Sequence, residues 1–149
     1  QTVVDYQMDG NFPSDSMADV GIAIVGEKPY AEGVGDNAMP QLDDADIAAI
    51  ANLKNTSKQV VVILVTGRPL IISDELSDWD AVVSAWLPGS EGDGIADALF
   101  GLSPFTGTLP LPWPASIQQV PFQPNGQTRD GTPPLFPRGF GLESMKRNE

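Results

Sequence analysis

Cysteine and histidine are both missing from this chain of 149 residues. Their absence excludes disulfides, thiol and imidazole nucleophiles, and most zinc, copper and haem sites. Acid–base chemistry therefore falls to carboxylates, Tyr or Lys. Basic side chains are scarce as well: 8 Lys and Arg stand against 20 Asp and Glu, for a net charge of −12. Such a field repels nucleic acid and anionic membranes, favours neutral or cationic ligands, and suits an extracytoplasmic protein, periplasmic or secreted. No apolar run approaches the roughly 20 residues that span a bilayer, and residues 1–20 lack the basic start and apolar centre of a signal peptide. There is no internal repeat and no low-complexity tract. The length suits one domain, able to bury roughly two thirds of the surface its unfolded chain exposes.

What is present reads as an α/β protein. Residues 20–26 and 60–67 are continuous, largely β-branched apolar runs, each ending in Gly. Runs of this kind fit parallel strands buried on both faces. Between them, residues 41–54 carry Leu42, Ile47, Ile50, Ala51 and Leu53 at helical spacing, with Asp43 as N-cap, Asp46 three residues later and Asn55 after the end. The result is a βαβ unit, right-handed by the general rule. Residues 69–78 read as a short, poorly defined helix and residues 81–88 as a third strand, completing a second such unit. The Gly-rich stretch 89–94 then turns into a helix through Ile95, Ala96, Ala98, Leu99 and Phe100.

The flanks are less regular. Residues 1–19 form a polar lead-in with one short strand at Val3-Val4. After Gly101 the chain is Pro-rich: residues 109–114 can form only an edge strand or extended segment, and residues 118–149 are expected to wrap the surface. The expected organisation is thus a lead-in (1–19), a βαβ core (20–101) and an edge strand with a wrapping tail (102–149). Three parallel strands are few for an open sheet. Together with a start at Gln1-Thr2-Val3, this leads us to expect a piece of a longer polypeptide.

The chemistry concentrates after the first strand. Gly26-Glu27-Lys28-Pro29-Tyr30-Ala31-Glu32-Gly33-Val34-Gly35-Asp36 places carboxylates and a Tyr on a Gly-rich loop, at the strand end where α/β sheets bind ligands. Partial burial against Tyr30 and the charges of Lys28 and Asp36 would tune Glu32 as a general acid; the plainer alternative is a solvated loop carboxylate. Glu27 is expected to cap or brace the loop, and Asp36 to do so through an Asx turn. Arg68 is expected to pair with one of the many carboxylates. Trp79 and Trp86 are assigned to packing rather than to a sugar platform. Residues 89–94 lack both the G-x-G-x-x-G spacing and the Gly-Lys-Ser pattern of phosphate loops, and Glu91 and Asp93 would repel phosphate. Asp43, Asp44 and Asp46 lack calcium-loop spacing and read as first-turn helix acids.

Four collinear segments carry a family resemblance. The loop 26–36, then Val65-Thr66-Gly67-Arg68-Pro69, then residues 85–101 beginning Ala85-Trp86-Leu87-Pro88-Gly89, then Phe105-Thr106-Gly107-Thr108-Leu109-Pro110 together resemble the second domain of glycoside hydrolase family 3, nearest the β-D-glucan exohydrolases and β-glucosidases. The resemblance implies an incomplete flavodoxin-like three-layer α/β sandwich with a mostly parallel sheet and a Pro-rich irregular C-terminal tail. It also implies a partner, an N-terminal barrel of the same enzyme carrying an Asp nucleophile that this chain lacks. Glu32 would be the catalytic acid/base, with Lys28, Tyr30 and Asp36 supporting its loop. The substrate implied is a β-glucoside or β-glucan oligosaccharide, hydrolysed with retention; no cofactor, metal, nucleic acid or membrane is implied. Ser77-Asp78-Trp79 mimics the family's nucleophile motif but lies just before the third strand, an ordinary segment of the sandwich. The rival reading is a non-catalytic flavodoxin-like module that binds a small ligand or a partner.

Overall fold

The computed structural model describes residues 3–13, 15 and 17–142. Among these, the elements in chain order are β1 (Gly21–Gly26), α1 (Asp44–Asn55), β2 (Val60–Val65), β3 (Ala81–Trp86) and α2 (Gly92–Leu99), with single 3₁₀ turns at Leu76–Asp78 and Ile117–Gln119. The strands form one parallel sheet in the order β1-β2-β3, the α/β architecture expected. Two compact units emerge: one runs to Arg68 and includes Ile72–Leu87, the other comprises Pro69–Ile71 and the chain from Pro88 onward.

In the first unit β2 is central. Val60, Val62, Ile63 and Leu64 are at most 1% exposed, each such side chain contributing about 2 kcal/mol through its burial. α1 packs on β1 and β2 through the buried Ile50 and Leu53. Leu53 lies so close to Gly21 that a Cβ there would meet its Cγ at 2.7 Å. Asp43 is the N-cap, its side chain accepting the Asp46 N–H at 2.9 Å; at the other end Asn55 is the last helical residue and Thr56 the C-cap. The expected N-cap is thus observed, and the helix runs one residue further than expected.

Three expectations are corrected. Val3 and Val4 form no strand and are each 81% exposed. The lead-in engages α1 further on: Asn52 Nδ2 donates to the Asp9 carbonyl at 3.0 Å, and Gly10 approaches Ala49 so closely that a Cβ would lie 2.3 Å from its carbonyl oxygen. In residues 69–78 helical structure is limited to the 3₁₀ turn Leu76–Asp78, because Leu70, Ile71 and Ile72 are consecutive and do not share one helical face. β1 alternates buried and exposed positions instead of burying both faces, leaving Ile22 41% and Ile24 69% exposed.

The second unit has a small core of its own. Trp113, 3% exposed, donates its indole N–H to the Leu70 carbonyl at 2.7 Å and forms an isolated antiparallel bridge with Phe136. Gln119, 1% exposed, accepts from the Ala115 N–H at 2.6 Å and donates to Thr132 Oγ1 at 2.7 Å and the Pro133 carbonyl at 2.9 Å. A buried amide so satisfied adds specificity without an orphaned polar group. α2 begins after Glu91, with Asp93 in its first turn, where an acid is favoured.

Candidate functional site

The site is built where the three parallel strands end. Gly26 closes β1 with φ 151, and a Cβ there would lie 2.0 Å from the Val65 carbonyl oxygen, so only glycine allows β1 and β2 to approach this closely. The register pairs Gly26 with Val65. The residues that follow, Glu27 and Thr66, therefore emerge side by side, and the Glu27 N–H donates to the Val65 carbonyl at 3.1 Å. Beside them β3 ends at Trp86, a non-glycine residue at φ 54 whose carbonyl accepts the Thr66 N–H at 3.0 Å. Such backbone conformations are costly and cluster at functional sites.

Glu27 is the hub of this strand end. Its side chain is only 11% exposed. Oε1 accepts from Arg68 Nε at 2.8 Å, while Oε2 lies 2.7 Å from Thr66 Oγ1 and accepts the Tyr30 hydroxyl at 3.3 Å. Thr66 Oγ1 is also 2.8 Å from the Arg68 carbonyl; its one proton serves one acceptor at a time, and the carboxylate is the stronger. Arg68 extends the network, donating from Nη2 to the Gly35 carbonyl at 2.7 Å and placing its guanidinium 4.5 Å from the centroid of the Tyr30 ring, within cation–π range.

Tyr30 needs the glycines around it. A Cβ on Gly35 would meet its Cδ2 at 2.2 Å, and one on Gly67 its hydroxyl at 2.7 Å. Loss of hydration, followed by the charge of Glu27, holds the Tyr30 hydroxyl above its ordinary 10.0, so it remains a protonated donor. The loop closes on itself through Gly35 N–H to the Ala31 carbonyl at 2.8 Å and Asp36 N–H to the Gly33 carbonyl at 3.2 Å, Gly33 having φ 79.

Glu32 rides at the tip of this loop, exposed. Among the described residues its carboxylate makes none of the side-chain hydrogen bonds or ion pairs observed. The expected burial against Tyr30 is not found: Glu32 is exposed, and a face of that ring is covered by Arg68 instead. Lys28 points elsewhere: its Nζ is 3.9 Å from Asp43 Oδ2, and its side chain is 91% exposed. Asp36 is exposed and contributes a backbone turn in place of the expected Asx turn. Tyr30 alone of the three expected supports joins the side-chain network.

Glu27 was expected to brace the loop and Arg68 to pair with a carboxylate, and both do; that they are each other's partner, and that Thr66 joins them, was not foreseen. A partial signal was present: two apolar runs, 20–26 and 60–67, each lead into polar residues, so pairing of the runs brings Glu27 and the Thr66–Arg68 segment to neighbouring strand ends. Among the described residues no group of three or more Asp or Glu is placed to hold a metal ion, and no helix is long and apolar enough to cross a membrane.

The family model described as glycosyl hydrolase family 3 C-terminal domain matches residues 11–144. Lysosomal beta glucosidase of Dictyostelium discoideum is 38% identical over 129 residues, covering 84% of this chain and 16% of that protein. Periplasmic beta-glucosidase of Salmonella typhimurium is 33% identical over 148 residues, covering 84% of this chain and 19% of that protein. A crystal structure of a mutant exo-1,3/1,4-beta-glucanase from a Pseudoalteromonas species superimposes with TM-score 0.75 at 38% identity, covering 90% of this chain and 22% of the other. This chain thus spans less than a quarter of each of these proteins.

Proposed function

Because this chain belongs to the C-terminal domain of glycosyl hydrolase family 3, we propose that it forms the C-terminal part of the α/β sandwich domain of an exo-acting β-glucosidase or glucan glucohydrolase and supplies that enzyme's acid/base, Glu32. The observation that carries this reading is the placement of Glu32 at the tip of a loop that leaves the carboxyl end of β1 and is tied down around it by Glu27, Tyr30 and Arg68. A carboxylate offered to solvent on an anchored loop is free to reach a sugar held by a second domain.

The reaction needs two carboxyl groups, about 5 to 5.5 Å apart for retention. The nucleophile belongs to a barrel domain of the same polypeptide, outside this chain. In the first step Glu32 gives its proton to the glycosidic oxygen as the bond to the anomeric carbon breaks and the barrel Asp forms the glycosyl-enzyme. In the second, the Glu32 carboxylate takes a proton from water as that water displaces the Asp, returning both groups to their starting states. The substrate is a β-glucoside or β-glucan oligosaccharide, in keeping with the names of the relatives and with a net charge of −12, which suits a neutral ligand. Two relatives are named periplasmic and lysosomal, which supports a place outside the cytoplasm.

Glu32→Gln in the full-length enzyme tests the assignment. Hydrolysis of glucosides with poor leaving groups should fall by about 10²- to 10⁴-fold, the usual worth of a positioned general acid. Azide should partly restore turnover of activated aryl glucosides by replacing the water that Glu32 no longer activates. Unchanged turnover on both substrate types would overturn the assignment.

A further inference from the structure

Glu32 has no side-chain partner of its own among the described residues, yet a general acid works only when its proton is aimed at the leaving oxygen, and a misplacement of about 1 Å can cost 10²-fold in rate. Its aim must come from the backbone that carries it. That backbone is held at three points, all converging on one ion pair: Glu27 at the root of the loop, Tyr30 two residues before Glu32, and the Gly35 carbonyl three residues after it. We propose that Glu27 and Arg68 are positioning residues for Glu32, and that the pair, anchored to the end of β2 through Thr66, sets where the acid/base points. This inference rests on the assignment of Glu32 made above.

The geometry favours orientation over a field effect. Glu27 and Arg68 neutralise one another at 2.8 Å, so their combined charge offers little net potential at the loop tip. The guanidinium meanwhile makes three contacts of different kinds: Nε to a carboxylate, Nη2 to a backbone carbonyl, and a flat face to an aromatic ring. A lysine ammonium keeps the charge but cannot make all three at once. With side chains 28% and 11% exposed, the pair is shielded enough from water to hold one geometry.

Arg68→Lys and Glu27→Gln in the full-length enzyme test this, read on two β-glucosides. One has a poor leaving group, such as a methyl or disaccharide aglycone, which must be protonated to depart; the other releases dinitrophenolate, which leaves without a proton. Both variants should lose about 10- to 100-fold in kcat/KM on the first and stay within about threefold of the parent on the second, with KM for the first little changed. A purely structural defect lowers active enzyme equally for both substrates and would overturn the proposal, as would parental values on both. If Glu27→Gln does not accumulate as folded protein, Arg68→Lys, which preserves charge, decides the question alone. Glu32→Gln measured alongside separates the two claims. If it shows no leaving-group split, the assignment of Glu32 falls; if it shows the split and the pair variants do not, only the positioning role falls.

Discussion

Asp46 is a first-turn acid of α1 that also braces the end of β1, since its Oδ2 accepts the Gly26 N–H at 3.3 Å, where the strand gives way to the loop. Burial first, and the charge of Asp43 with it, hold its carboxyl above the usual 3.8, against the Gly26 hydrogen bond and Lys28. The folded chain therefore binds this proton more tightly than the unfolded chain does. That stabilisation is complete below the unfolded value and is lost as pH rises through the folded one. Asp46→Asn keeps an acceptor for Gly26 and cannot ionise, so its thermal midpoint should gain on the parent's as pH rises from about 4; parallel pH profiles for the two proteins would contradict this. The same residue-by-residue view shows what could be read in advance. Glu32 stood out because a Gly-rich loop after an apolar run is visible in one dimension. That Glu27, expected to brace the loop, and Arg68, expected to pair with a carboxylate, are each other's partner was not legible, because they lie 41 positions apart and nothing local marks them as partners.

At the level of elements, local rules carried most of the information for α1 and little for the crossover that follows β2. The Asp43 cap is a short-range interaction, one carboxylate oxygen on an amide three residues away at 2.9 Å, which is why the pattern revealed it. Asp43→Ala should lower the stability of the helix-bearing unit by about 1 kcal/mol, checked by urea unfolding followed through far-ultraviolet circular dichroism. The same substitution removes the ion pair with Lys28, which at 3.9 Å and with side chains 91% and 54% exposed should add almost nothing. Lys28→Ala alone is the control. β1 illustrates the opposite case. Its β-branched run specified a strand, yet whether Ile22 and Ile24 are covered depends on another layer that the strand's own residues do not encode, and in this chain they are 41% and 69% exposed.

For the whole molecule, the division of labour is the testable matter. The chain covers 19% and 16% of the length of two β-glucosidases it resembles, and the proposed mechanism asks it for one carboxylate of a pair. Expressed alone, it should release no aglycone from an aryl β-glucoside that the full-length enzyme cleaves. Turnover by the isolated chain would place both carboxylates within it and refute the division. By itself, the sequence determined the elements and the chemical vocabulary: three apolar strands, a capped helix, and acid–base chemistry confined to carboxylates, Tyr and Lys once Cys and His are absent. These follow from composition and short-range periodicity, which act over a few residues. Only the tertiary structure decided that Glu27 meets Arg68, that Tyr30 fills the space left by Gly35 and Gly67, and that Glu32 stands exposed. Those contacts depend on the register between parallel strands, and register is a property of the packed sheet, not of either strand alone.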